Sequence, residues 1–357
     1  MHVIKYVCTA LLAAGATLHA TQAEARDQIR IVGSSTVYPF AASVAEHFGR
    51  AGDFRTPVVE ATGTGAGIKL FCEGVGKDSP DVATASRQML PGEKERCRKQ
   101  GVASVVEVKI GFDGIAFANS TKVPRAQFSR KDIFLALARE LPDASGKLAA
   151  NPHKRWKQVN DALPDAPIRV YGMPPVSGTR DTFVELVMEK GCADVPQMIA
   201  SIPDEKKRKN QCKMIREDGA FIEAGENGNL IVQKLLGDKD TFGLLGFSFL
   251  DQNTGVIQAS AIEGVIPEFE TIQNASYPVS RPLYIYIKAD HVGKVPGLRE
   301  YAQEFLSEGT AGDEGYLVSK GIIPLPTEER AQIRSQVLQA LASDKVTEAL
   351  DPSAQSQ

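Results

Sequence analysis

The chain has 357 residues and a formal net charge of −3, with 43% hydrophobic and 24% charged residues. That is the balance of a soluble globular protein with material for two ordinary domains or one large one. Lysine and arginine are scattered, which argues against a nucleic-acid partner. The densest basic run, Lys206-Lys207-Arg208-Lys209, is flanked by Asp204 and Glu205 and reads as a solvated face.

In chain order, Met1 to Lys5 is short and basic, and Val7 to Leu18 is apolar. Thr21-Gln22-Ala23 and Ala23-Glu24-Ala25 then place small residues where a signal peptidase reads. Residues 1–25 are therefore expected to be a secretory signal peptide, too short to span a bilayer stably, and the mature protein to be periplasmic. Cys8 lies inside the apolar stretch, so a lipoprotein anchor is not expected. The exported chain holds Cys72, Cys97, Cys192 and Cys212. An even number in an oxidising compartment reads as disulfides, with three connectivities open. The spacings fit neither a zinc ribbon nor a redox CxxC.

Strands and helices then alternate. Ile29 to Val32 predicts a strand that feeds a helix from Tyr38 to Phe48. Pro57 to Ala61 predicts a strand, followed by a short helix through Leu70 and Phe71. Asp81 to Ala85 is a third strand and Pro91 to Lys99 a third helix. Val105 to Ala118 is a long strand-like stretch, interrupted by Gly111 and Gly114. Such alternation predicts a mostly parallel sheet with helices on both faces. Further on, helices are expected at Arg130 to Leu141, at Ser177 to Gly191 (capped by Ser177, ended by Gly191) and at Glu226 to Leu236. Strands are expected at Ile168 to Tyr171, Phe242 to Phe247, Val256 to Ala261 and Leu283 to Lys288. Helices around Leu298 to Ser307, Asp313 to Ser319 and Glu328 to Ala342 close the fold, and a polar tail follows.

Four strand ends lead into small polar turns: Gly33-Ser34-Ser35-Thr36, Gly63-Thr64-Gly65-Ala66-Gly67, Ala85-Ser86-Arg87 and Val176-Ser177-Gly178-Thr179-Arg180. Ligands of open α/β sheets bind beyond the carboxyl ends of strands. There helix N-termini offer unpaired N–H groups and a positive partial charge, which suits an oxyanion. Any one turn is explained by ordinary capping, and the convergence of four is the stronger signal. The glycines at 63–67 match no nucleotide loop, because Ile68 stands where a dinucleotide fingerprint needs glycine and Lys69 is followed by Leu70. After export only His47, His153 and His291 remain, in no triad or metal-ligand spacing. No catalytic residue, metal or cofactor is expected.

These segments, together with Gly33 through Pro39, Phe112-Asp113-Gly114-Ile115-Ala116, Tyr277 through Tyr286 and Gly321 through Pro326, resemble the phosphate-binding proteins of phosphate ABC transporters, the PstS-like group. The likeness runs from about Ile29 to Pro326. It implies an α/β, two-lobed type II periplasmic binding fold, each lobe a mixed sheet flanked by helices. Lobe 1 would hold residues 26–115 and 284–345, lobe 2 residues 116–283, and residues 346–357 would be a disordered tail.

The resemblance further implies a monomer that holds inorganic phosphate between the lobes and delivers it to the permease subunits of an ABC importer. Ser35, Thr36, Val37, Thr64, Ser86, Ser177, Gly178 and Thr179 would supply hydroxyl and amide donors. Two positions depart from the best-studied form of the family: Arg87 stands where it has an aspartate, and Met173 where it has an arginine. The cation is therefore expected to be Arg180, with Arg87 second, and the acceptor of the phosphate proton Asp113, with Asp181 second. Within this frame Cys72 should pair with Cys97 and Cys192 with Cys212, each pair inside one lobe. The hinge should lie near Gly111 to Ala118 and Ser280 to Ile287. The competing readings are a receptor for another tetrahedral oxyanion such as sulfate, a secreted phosphatase, and a passive adhesin that keeps the fold.

Overall fold

The computed structural model describes residues 26–175, 177–225 and 228–342. The expected signal segment and the C-terminal tail lie outside the described residues. Nine strands form one sheet: β1 (Arg30–Gly33), β2 (Val58–Ala61), β3 (Val82–Ala85), β4 (Val105–Ser120), β5 (Val170–Gly172), β6 (Phe221–Glu223), β7 (Phe242–Gly246), β8 (Ile257–Ala259) and β9 (Ser280–Lys288). Their order is β2-β1-β3-β9-β4-β7-β5-β6, with β8 paired to β4.

β1 is parallel to β2 and β3, and β5 is parallel to β6 and β7. The central joints, β3 to β9, β9 to β4 and β4 to β7, are antiparallel. The sheet is thus mixed rather than mostly parallel, because the two long central strands run against the βα units on either side. β4 lies along β9 from Val105 to Gly114, then along β7 and β8 from Ile115 to Ser120. The register slips between Leu283 and Tyr284, opposite Ile110, beside Gly111 at φ +151°. A bulge of this kind bends the ladder where the chain passes between the two halves.

The apolar residues gather in three clusters. One surrounds Phe117, Phe128, Trp156 and Phe242, another Ile31, Val108, Ile285 and Phe305, and a small one Phe71, Tyr284 and Tyr286. Helix α1 (Tyr38–Arg50) shows why the first unit folds locally. Pro39 stands in its first turn, and Phe40, Ala41, Val44, Ala45 and Phe48 make one buried stripe. The disulfides are Cys72–Cys97 and Cys192–Cys212.

Three expected elements are corrected. The helix from Arg130 ends at Leu137, since Pro142 disfavours helix at Leu141 and Glu140–Pro142 pairs instead with Leu148–Ala150. The segment from Ser177 is α-helical over Gly178–Phe183, a wide π turn over Val184–Met188, and α-helical again over Glu189–Ala193. Gly191 lies inside that last part, and a Cβ there would fall 2.2 Å from the Arg130 carbonyl. It is a close-packing glycine, not a terminator. Of the stretch Asp313 to Ser319, Asp313 to Leu317 is a compact loop after a short helix, Glu308–Ala311, and Val318 and Ser319 belong to a 3₁₀ turn, Val318–Lys320.

Candidate functional site

The β1 end delivers the first turn. Ser34 is buried, and its Oγ accepts the N–H groups of Thr36 (3.2 Å) and Val37 (3.4 Å). The second and third strand ends meet the first, because Gly33 O accepts from Gly63 N (2.8 Å) and Thr84 O from Ser34 N (2.9 Å). Thr64 and Ser86 stand side by side, with hydroxyl oxygens 3.1 Å apart, and the Ser86 N–H donates to Thr64 Oγ1. Ser35 is half-buried, and its hydroxyl has no hydrogen-bond partner among the described residues.

The fourth turn comes from the other half and touches the first. Thr36 Oγ1 donates to Gly178 O at 3.2 Å. A Cβ on Gly178 would lie 2.3 Å from Thr36 Cα, so only glycine permits this approach. Asp113, on β4, is buried, and its Oδ2 accepts from Thr182 Oγ1 at 2.9 Å. Burial pushes the Asp113 carboxyl up, against the opposing pull of Arg281 and the Thr182 hydrogen bond. The same Thr182 hydroxyl reaches Gly178 O at 2.9 Å, so one proton faces two acceptors.

Arg281, which sequence reasoning missed, joins these groups. Its side chain is 8% exposed. Nη2 donates to Thr36 Oγ1 (2.9 Å) and to Thr182 Oγ1, and Nη1 donates to Glu185 Oε2 at 2.5 Å. Nε is buried with no hydrogen-bond partner and lies 4.0 Å from Asp113 Oδ2. One signal was available. Arg281, Leu283, Ile285 and Ile287 alternate along β9, so the first places a charge on a face that otherwise reads as core.

The two arginines expected from the sequence are committed elsewhere. Arg87 grips Glu93 with both Nη atoms (2.8 and 2.9 Å), and Glu93 also accepts the Leu90 N–H at the start of the helix Pro91–Lys99. Arg87 nevertheless stays beside the glycine turn, its Nη2 3.9 Å from a Cβ built on Gly65. Arg180 donates to Met173 O (3.1 Å) and lies over the Phe221 ring at 4.3 Å. It lines a cavity of about 450 Å³ with Arg139, Arg216 and Phe221. Burial lowers its pKa, and Glu223, at 3.9 Å, opposes the shift. Ser177 and Thr179 are half-buried, and Asp181 lies at the surface with its carboxyl pushed up by partial desolvation and by the charge of Glu185. Among the described residues no group of three or more His, Cys, Asp or Glu is placed to hold a metal ion. No helix among them is long and apolar enough to cross a membrane.

The sequence pattern of the PBP superfamily domain matches residues 19–309. Protein SphX of Synechococcus elongatus is 30% identical over 302 residues, covering 83% of this chain and 77% of its own. The phosphate-binding protein PstS of Staphylococcus saprophyticus is 26% identical, covering 93% and 91%. Among solved structures, a possible phosphate-binding protein from Planctomyces limnophilus superposes with a TM-score of 0.70 at 25% identity, covering 88% of this chain and 99% of that one.

Proposed function

The chain belongs to the PBP superfamily, and from that membership and the geometry of its cleft we propose that it binds inorganic phosphate with high affinity between its two halves and delivers it to the permease of an ABC importer. It acts as a receptor, not an enzyme. The relatives named as phosphate-binding proteins support this reading. The expected signal at 1–25 supports a periplasmic location.

One observation carries the proposal: a buried guanidinium with an unpartnered donor, surrounded by hydroxyls from both halves and one buried carboxyl. A dehydrated phosphate dianion needs a cation held away from water, and we assign that role to Arg281 rather than to Arg180 or Arg87. Charged hydrogen bonds are shorter and stronger than neutral ones, so the guanidinium sets affinity while the hydroxyls set shape. Ser35, Thr36, Thr64, Ser86 and the Ser177–Thr179 turn are the neutral donors of the same proposal. Asp113 takes the remaining proton of the phosphate. Sulfate carries no such proton near neutral pH, so an ionised Asp113 would repel it.

Calorimetric titration of the purified protein tests this. Phosphate should bind, sulfate should bind far more weakly, and Asp113→Asn should narrow the gap by weakening phosphate more than sulfate. Equal affinity for both anions in the wild type would replace phosphate with tetrahedral oxyanions in general. No heat with either would reject the receptor reading.

A further inference from the structure

The ion pair between Arg281 and Glu185 joins two unequal partners. The guanidinium is 8% exposed and is fixed by Thr36 and Thr182, whereas the carboxylate is 51% exposed. Glu185 stands on the π turn of Val184–Met188, an irregularity that recurs at functional sites. Its negative charge helps to raise the pKa of both Arg87 and Asp181. Asp181 precedes Glu185 by four positions on the same helical stretch, a repulsive spacing for like charges. The side chain thus has a reason to leave and solvent to leave into. Arg281 has neither.

We propose that Glu185 is a specificity-determining residue: a tethered carboxylate that occupies Arg281 until an oxyanion displaces it. The proposal rests on the reading of this cleft as an oxyanion site. A carboxylate presents the guanidinium with the same charged acceptor oxygens as a phosphate edge. A monoanion gains nothing over the tethered group it must displace. A dianion gains a second charge against Arg281 and further oxygens for the hydroxyls. Glu185 therefore screens out chloride, nitrate and small carboxylates while lowering the affinity for the ligand that is kept.

The test titrates wild type, Glu185→Gln and Glu185→Ala with phosphate, sulfate and formate. Both variants should bind phosphate more tightly, by roughly tenfold to a hundredfold, the range of one charged hydrogen bond. In Glu185→Ala, formate should now compete with phosphate, standing in for the missing side chain, and in wild type it should not. Should either variant fail to fold, Glu185→Asp keeps the charge with a shorter reach and should also tighten binding. Unchanged or weaker phosphate binding in the folded variants would make Glu185 a mere positioner of Arg281 and overturn the proposal, leaving the receptor reading intact. If no protein of the set binds phosphate or sulfate, Arg281 has no anion to exchange and both readings fall.

Discussion

β9 carries a buried cation at each end, and the two are finished differently. Lys288, at the far end, is fully buried. Its Nζ donates to Gly74 O at 2.5 Å and Ser79 Oγ at 3.0 Å and lies 4.8 Å from the centre of the Phe71 ring. Burial pulls its pKa down from 10.5 to about 8, with the charge of Asp81 resisting. Arg281, at the end beside Thr36 and Thr182, keeps one buried donor unpartnered and borrows a counter-charge from a half-exposed side chain. A cation whose donors are met by fixed carbonyl and hydroxyl oxygens serves the fold. One left incomplete between two halves of a molecule is available to a ligand. Neither burial nor an unpartnered donor alone sets Arg281 apart, since Arg26 Nε beside Asp81 is also buried without a hydrogen-bond partner. What differs is that Arg281 sits among hydroxyls of the first and fourth turns and a half-exposed carboxylate.

The largest effect should come from the Arg281 end. Arg281→Ala should weaken phosphate binding by roughly 30-fold or more in calorimetry, as expected when a buried charged partner is removed. Retained wild-type affinity would break the comparison and return the cation role to Arg87 or Arg180.

Next, the far end can be opened without touching the cleft. The Cys72–Cys97 bridge closes a loop of 25 residues that contains Gly74 and begins beside Phe71, both neighbours of Lys288. Replacing both cysteines by alanine should destabilise the protein by about 3 kcal/mol in denaturant unfolding, on the chain-entropy estimate for such a loop. Phosphate affinity should not move. A large loss of affinity would mean that the two ends of β9 are coupled.

The smallest effect is a slope. Lys288 titrates near 8 in the folded protein and near 10.5 when unfolded, so between these values the unfolded chain holds more protons. Stability should therefore rise with pH across that window. Above pH 10 buried tyrosines oppose the rise, because Tyr284, among others, is pushed up to about 12 by burial and nearby acidic charge and the unfolded state ionises first. Lys288→Met should abolish the increase between pH 8 and 10 in thermal melts and leave phosphate binding unchanged. A slope that survives the substitution belongs to another group.

Much of this architecture was legible beforehand. The β1 to α1 unit, the third helix and the long β4 follow from local signals, β-branched runs and a proline in a first turn, whereas choosing Cys72–Cys97 and Cys192–Cys212 among three connectivities also needed the division into lobes that the family resemblance implies. The hydroxyl-rich turns were also legible, since a small polar turn after a strand is a local pattern. What the local pattern does not carry is of longer range. Arg180 lies in the first turn of the helix that the fourth turn opens, yet its side chain packs over Phe221 and donates to Met173 O. Arg281 and Glu185 are separated by almost a hundred positions, and nothing near either in the chain announces the other.

The sequence by itself determined most of the strands and helices, where the oxyanion-friendly turns lie, and that the cysteines come in an even set, because propensity, periodicity and spacing are properties of neighbours along the chain. Only the tertiary structure decided which charges are desolvated and what faces them. The antiparallel pairing of β4 with β9, which sets Arg281 opposite Asp113, and the packing of the Gly178–Met188 segment on it bring Thr36, Asp113, Thr182, Glu185 and Arg281 together. The worth of a charge depends on the dielectric and the partners around it, and these are set by distances in space rather than by positions in the chain.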